Sequence, residues 1–347
     1  MTHPGPRRHG RACRRRATGV ALAAVAAAGA RTARRGATRR ENRAERDAVQ
    51  ARALADLGDL APGDLAPGDL ADVGDPGDLT DPGDLGDLAG RPAGLVCVVM
   101  AALDEQDSVG EVIAEIRAEL ADRPTRVVVV DDGSRDATAE RARRAGALVV
   151  RHERNLGQGD ALRTGFAAAR LLGADLVVTM DADGQHRPDE IRALLGPVDA
   201  GTADYVQGSR FEGRYDDAGG GRDLGIRAFT TLLRRVGGPA VTDCTNGFRA
   251  IGAEALGRLD LREDRFSAAE ILLEASHRGL RVVEVPVHIR SRASGESKKP
   301  RRLGYPLGFL ATIVRVRSRQ LRAGAGRPRI RRARPAAADP TRAGGRG

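Results

Sequence analysis

Aromatic residues are scarce in this chain: they make up 3% of its 347 positions, with no tryptophan, three tyrosines and six phenylalanines. Apolar residues are also unevenly spread, so much of the length is not core, and the remainder suits one large domain or two ordinary ones. Lysine is nearly absent, Lys298 and Lys299 being the only two among 57 basic residues. An arginine-for-lysine bias running through a whole chain reads as coding composition rather than as a phosphate-binding surface. The net charge of +10 lies mainly in two arginine-rich ends. With no zinc-finger spacing, RNP-like aromatic pattern or basic zipper, no nucleic-acid partner is expected. Anionic lipid headgroups are the better target for basic tails, because attraction to them needs no shape. The three cysteines, Cys13, Cys97 and Cys244, have neither paired nor metal-ligand spacing and are expected to stay reduced. No segment approaches the roughly 20 apolar residues of a membrane span; the C-terminal run "LGFLATIV" at 307–314 is far shorter.

What is present divides by composition. Residues 1–50 are Arg-rich without periodicity, and 56–90 repeat a Gly-Asp-Leu unit with ten Asp and no basic residue. Residues 1–93 therefore read as a disordered segment ending in an acidic linker, and 323–347 as a disordered basic tail. The stretch "RRRATGVALAAVAAAGA" at 14–30 has the outward form of a secretory signal, but its core is dominated by alanine, and a cytoplasmic location is expected. Between the tails, 94–300 alternates strands and helices. "GLVCVVMAAL" (94–103), "RVVVVDDGS" (126–134), "ALVVRHE" (147–153) and "DLVVTM" (175–180) predict strands. "SVGEVIAEIRAEL" (108–120), with Ser108 as cap and Glu111 three residues on, "DATAERARRAG" (136–146) and "GDALRTGFAAARLLG" (159–173) predict helices. Continuous apolar strands in this alternation imply an α/β fold, a mostly parallel sheet covered on both faces, with ligands beyond the strands' carboxyl ends.

That rule gives meaning to "VVTMDADGQH" at 177–186. A turn explains Asp183 and Gly184, but not Asp181, which stands where a buried strand emerges and shares a side with Asp183. Glu105, Asp131 and Asp132 also fall at strand ends. Five carboxylates on one sheet edge repel unless a cation or hydrogen-bond donors offset them. A hard divalent ion, Mg²⁺ or Mn²⁺, held by Asp181 and Asp183 against a diphosphate answers this, with Gln185 adding a carbonyl oxygen. His186 reads first as a hydrogen-bonding loop residue, with ligation of a softer ion as the alternative.

"VVMAALDEQDSVGEVI", "VVVVDDGSRDAT", "RNLGQGDALRTGF", "VVTMDADGQHRPDEI", "VQGSRF", "TDCTNGFRAI" and "RASGESKKP" occur in an order that resembles family 2 glycosyltransferases of the GT-A fold, most like the polyprenyl-phosphate (dolichol-phosphate) sugar transferases. The resemblance implies a Rossmann-like GT-A domain, a nucleotide-diphosphate sugar donor (GDP-mannose or UDP-glucose), a divalent metal on Asp181, Asp183 and Gln185, and inverting displacement at the anomeric carbon. It puts Asp132 on the base and Glu105, Asp131 and Gly157 beside the nucleotide. "AALDE" departs from the family's usual first loop, with Ala101 and Asp104 in place of Pro and Asn. Asn246 stands where Ser is common, and Ile226 where an Asn often precedes Arg227. The membrane helices that follow the domain in many relatives have no counterpart in the sequence.

A polyprenyl phosphate acceptor needs cations. Arg210, Arg222, Arg227, Arg249 and Lys298 are the candidates, of which Arg210, Arg227, Arg249 and Lys298 fall in the quoted blocks. An ionised phosphate requires little base help. A hydroxyl acceptor, glycan or small molecule, would require a base, for which Asp243 is the candidate. A non-catalytic nucleotide-sugar binding protein is a further alternative. A phospho-receiver domain is disfavoured, since both lysines lie more than a hundred residues beyond Asp181. Residues 301–322 predict an amphipathic basic helix. Leu307, Leu310, Ile313, Val314 and Leu321 fall broadly on one side and Arg315, Arg319 and Arg322 elsewhere, which suits either a membrane headgroup layer or packing on the domain.

Overall fold

The computed structural model describes residues 94–216, 221–291 and 304–322, together with 44, 46–50 and 52. It divides into two units, residues 1–50 and 51–347. The described residues of the first, 44 and 46–50, are helical. The acidic repeat at 56–90 and the tail at 323–347 lie outside the described residues.

In the second unit the predicted alternation is present. It runs β1 (Val96–Ala102), α1 (Val109–Glu119), β2 (Thr125–Asp131), α2 (Thr138–Arg144), β3 (Leu148–Arg151), α3 (Gln158–Leu171) and β4 (Leu176–Asp181). A 3₁₀ turn at Pro188–Glu190 leads to α4 (Ile191–Asp199), β5 (Tyr205–Tyr215), α5 (Gly221–Arg235), β6 (Arg249–Gly252), α6 (Ala253–Gly257), α7 (Ser267–His277), β7 (Val282–Ile289) and α8 (Gly304–Arg322). One seven-stranded sheet results, ordered β3-β2-β1-β4-β6-β5-β7. β6 alone runs against its neighbours.

Alternate strand residues feed opposite cores, as a period of two requires. Cys97, Val99, Val128 and Val130 pack with α3, α7 and α8 on one face. Val96, Val98, Met100, Val127 and Val129 pack with α1 and α4 on the other. Burial on both faces is why these strands read as unbroken apolar runs.

Two local expectations are corrected. Ser108 precedes α1, but its backbone is already helical (φ −114°, ψ −34°) and its hydroxyl makes no cap; side-chain capping needs an extended residue there. The hydroxyl donates instead to the Ala182 carbonyl at 2.8 Å, tying α1 to the Asp-Ala-Asp turn. The inward side of α8 is formed by Phe309, Ile313 and Val316, with Leu310, Val314 and Leu321 left exposed; Leu307 lies outside the described side chains. Arg315 and Arg319 bind protein carboxylates, so of the two expectations for this helix the contacts are those of packing on the domain.

Candidate active site

Register carries two acids to the same edge. Ala101 of β1 pairs with Asp181 of β4, and Ala102 with Asp131 of β2. Beyond β4 the chain turns at Gly184 (φ 75°), where a left-handed backbone favours glycine. Asp183 accepts the Gln185 amide at 3.1 Å, and Gln185 Nε2 donates to the Arg290 carbonyl at 3.2 Å. His186 Nδ1 accepts the Asp181 N–H at 2.9 Å, so the ring proton sits on Nε2 and is donated to Asn246 Oδ1, also at 2.9 Å. The imidazole stacks on Phe248 with centroids 5.0 Å apart, and burial holds its pKa below the ordinary value. Both ring nitrogens are thus engaged, the hydrogen-bonding arrangement expected first of His186.

Asp131 and Asp132 turn inward. Asp131 is wholly buried, accepts Ser134 N at 2.8 Å, and has Arg151 Nε 3.1 Å from its other oxygen. Asp132 accepts Leu156 N at 2.9 Å and Gly157 N at 2.8 Å, and lies 2.7 Å from His152 Nδ1. The family role expected of Asp132 is contact with a base; here both its oxygens serve the loop around Gly157. The Glu105 carbonyl accepts Ser108 N and Val109 N, which starts α1. Leu103, Asp104, Ser134, Arg151 and Arg154 line a cleft of about 450 Å³ between the loops after β1, β2 and β3. Asp104 has φ 49°, a conformation Asn and Asp both tolerate, so its replacement of the family's Asn keeps the loop. Its carboxylate accepts Arg135 N at 2.8 Å.

A smaller pocket of about 30 Å³ opens beside Asp181, lined among others by Gln158, Thr245, Gly247, Arg249 and Ser267. Gln158 Nε2 donates to Asp181 Oδ1 at 3.2 Å. A Cβ at Gly247 would stand 3.1 Å from the same oxygen, so glycine keeps that side open. Arg249 pairs between Thr179 and Gln207 in the middle of the sheet and is 1% exposed. Its Nη2 donates to the Asn246 carbonyl at 2.6 Å, while Nε and Nη1 have no partner among the described residues. Arg210 differs: its Nε donates to Asp243 Oδ2 at 2.6 Å and its guanidinium lies 5.3 Å from the Tyr215 ring centroid. Asp243 is wholly buried, and its other oxygen accepts Thr245 N and Oγ1, each at 3.1 Å. Arg227 is exposed, 4.2 Å above the Phe211 ring. Lys298 lies outside the described residues, as does the side chain of Arg222.

The structure thus sets Asp181 and Arg249 on one pocket, keeps Asp183 and Gln185 on the turn that follows β4, and pairs Arg210 with Asp243. Sequence reasoning missed Gln158, Gly247 and Ser267. The first two sit inside the quoted blocks, but nothing local marks Ser267. No group of three or more His, Cys, Asp or Glu able to hold a metal ion exists among the described residues. Two carboxylates on one turn instead fit an ion that takes its remaining oxygens from a diphosphate.

A mostly parallel sheet with one reversed strand, and paired aspartates where β4 emerges, define a GT-A glycosyltransferase. The chain belongs to glycosyl transferase family 2, whose family model matches residues 97–259. It is 34% identical over 203 residues to dolichyl-phosphate hexose transferase of Haloferax volcanii, covering 58% of this chain and 86% of that one. It is 30% identical to polyprenol monophosphomannose synthase of Mycolicibacterium smegmatis, covering 60% and 82%. Among solved structures, glucosyl-3-phosphoglycerate synthase from Mycobacterium tuberculosis with Mn²⁺, UDP-glucose and phosphoglyceric acid is similar at TM-score 0.52 and 26% identity, over 66% of this chain and 80% of that one.

Proposed function

We propose that this glycosyltransferase moves a hexose, with inversion, from a nucleotide-diphosphate sugar to a polyprenyl phosphate. The observation that carries this is Arg249, a buried guanidinium with two unpaired donors beside Asp181. A buried cation without partners is costly unless an anion completes it, and the acceptor phosphate is that anion. Asp243 supports the same reading. A hydroxyl acceptor would need a base, and this candidate already accepts Arg210 and Thr245. An ionised phosphate oxygen attacks the anomeric carbon without one, forming the new C–O bond as the bond to the diphosphate breaks.

Asp181, Asp183 and Gln185 would hold Mg²⁺ or Mn²⁺, which supplies Lewis-acid stabilisation of the departing diphosphate. Gln158 and His186 keep Asp181 aimed. Asp132, through the Gly157 loop, shapes the donor side, with GDP-mannose and UDP-glucose as the donors to try first. No helix among the described residues is long and apolar enough to cross a membrane. Attachment to the cytoplasmic face would instead use exposed Leu224, Leu310, Val314 and Leu321, with exposed Arg227, Arg234 and Arg235 nearby in sequence to Leu224.

A second reading, transfer to a hydroxyl of a phosphorylated small molecule, is favoured by the likeness to a structure holding phosphoglyceric acid. The test is to incubate the protein with divalent metal, a panel of nucleotide sugars and either polyprenyl phosphate or soluble acceptors. Sugar found on the lipid phosphate supports the first reading; sugar found on a hydroxyl alone overturns it.

A further inference from the structure

The loop 259–266 lies between α8 and the start of α3. Its inner edge meets the start of α3. Gly159 N donates to the Asp264 carbonyl at 2.9 Å, and a Cβ at Gly159 would stand 2.2 Å from the Glu263 carbonyl oxygen. Only glycine permits that approach, since a methyl group there would overlap backbone. One residue back, Gln158 donates to Asp181. The loop ends at Phe266, whose φ of 58° is strained for an aromatic residue. Directly after it, Ser267 and Ala268 line the pocket shared by Asp181 and Arg249.

Its outer edge is held from α8. Arg315 Nε donates to both oxygens of Glu263 at 2.9 and 3.0 Å. Arg319 Nη2 donates to the Asp260 carbonyl at 2.9 Å and to Glu270 Oε1 at 2.8 Å. The Glu270 carboxylate in turn accepts Arg262 N at 2.8 Å and Glu263 N at 2.9 Å. Phe309 meets the Phe266 ring edge-on at 5.9 Å and stacks on Phe229 of α5 at 4.5 Å.

We infer that α8 is a positioning element of the active site: Arg315, Arg319 and Phe309 clamp loop 259–266 against Gly159, and so set Gln158 on Asp181 and the Ser267 wall on Arg249. What the clamped site transfers rests on the function proposed above; the clamp itself does not. Strain at Phe266 persists only while its surroundings over-determine it, and α8 supplies the ring that does so. Coupling of this kind is reciprocal, so loosening the α3 end must loosen α8 as well.

The test uses amide hydrogen exchange on the full chain, which needs no activity. In a combined Arg315→Ala and Arg319→Ala variant, amides 158–162 are expected to exchange about tenfold faster while β1 and β2 keep their protection. In turnover assays kcat should fall with little change in acceptor KM. Lysine at both positions keeps the charge but not the forked contacts, and should reverse each effect only in part. If α8 loses protection while 158–162 does not, the helix is a passive cover and the inference fails. Should the double variant not fold, Gly159→Ala decides. It leaves α8 untouched, yet is expected to raise exchange at 312–320; unchanged protection there also overturns the clamp. Absence of lipid glycosylation in the natural chain, with these exchange results intact, would count against the proposed function alone.

Discussion

Arg249 is 1% exposed, and its Nε and Nη1 have no partner among the described residues, so the single bond from Nη2 to the Asn246 carbonyl offsets only part of the desolvation penalty of this buried charge. Replacing it by methionine, of similar length and no charge, should leave stability unchanged or raise it by about 1–2 kcal/mol, because buried charges are often no more stabilising than apolar groups. The same Arg249→Met change should abolish acceptor use while sparing donor affinity. Thermal melts and donor calorimetry on one sample check both halves; a lower melting temperature would mean the guanidinium is structural. The carboxylates separate by the same logic. Asp183→Ala or Asp181→Asn should reduce turnover by about two or more orders of magnitude, as should excess chelator, where metal stabilises a leaving diphosphate. Asp243→Asn weakens a buried pair to Arg210 and should lower stability by about 1–3 kcal/mol, yet keep more turnover than Asp181→Asn. Near-normal rates in Asp183→Ala would remove the metal reading.

Whole elements place these residues. β7 supplies Glu284, whose carboxylate accepts Thr242 N at 2.7 Å and Asp243 N at 3.0 Å and so fixes the loop carrying Asp243 and Thr245. Burial raises its pKa above the ordinary 4.5. A raised acid contributes stability that is full below that ordinary value and is lost as pH rises through its folded value. Glu284→Gln should therefore cost less stability at pH 7 than at about pH 4.5, and urea titrations at the two values compare them. α8 divides its surface between two tasks. Its inner face closes the core, while Leu310, Val314 and Leu321 remain 43%, 56% and 78% exposed. Changing these three to Gln should leave the melting temperature within about 1 °C, since exposed side chains contribute little to packing. It should also reduce salt-sensitive sedimentation with anionic vesicles. Equal sedimentation of the variant and the natural chain would argue against a membrane role for this face.

Across the molecule, every buried apolar side chain among the described residues lies at or after Leu95. By composition, the acidic repeat and the Arg-rich start are expected to add nothing to that core. A chain beginning at Gly94 is expected to keep its unfolding midpoint and its donor affinity. Loss of either would show that residues 1–93 act on the domain. The net charge of +10 would change little in sign on that removal, because the deleted segment carries both the arginines and the acidic repeat.

The order of strands and helices from Val96 to Asp181 was legible because it rests on local signals: a period of two, apolar runs of strand length, and glycines where the chain must turn. The Asp181–Asp183 pair was legible for a related reason, since strand ends and side-chain alternation are fixed by neighbours in the chain. The partners of the other candidates were not. Asp132 finds Leu156 and Gly157, Asp243 finds Arg210 33 residues away, and His186 finds Asn246 60 residues away. No local pattern encodes such pairs. The sheet order, with β6 reversed between β4 and β5, brings the loops before β6 and after β4 together. The same closure decided that Arg249 rather than Arg210 keeps unpaired donors among the described residues, and that α8 turns Phe309 rather than Leu310 or Leu321 inward. Composition and periodicity determine which segments become strands and helices; which buried polar groups meet depends on how those segments pack, because a hydrogen bond is satisfied by distance in space and not along the chain.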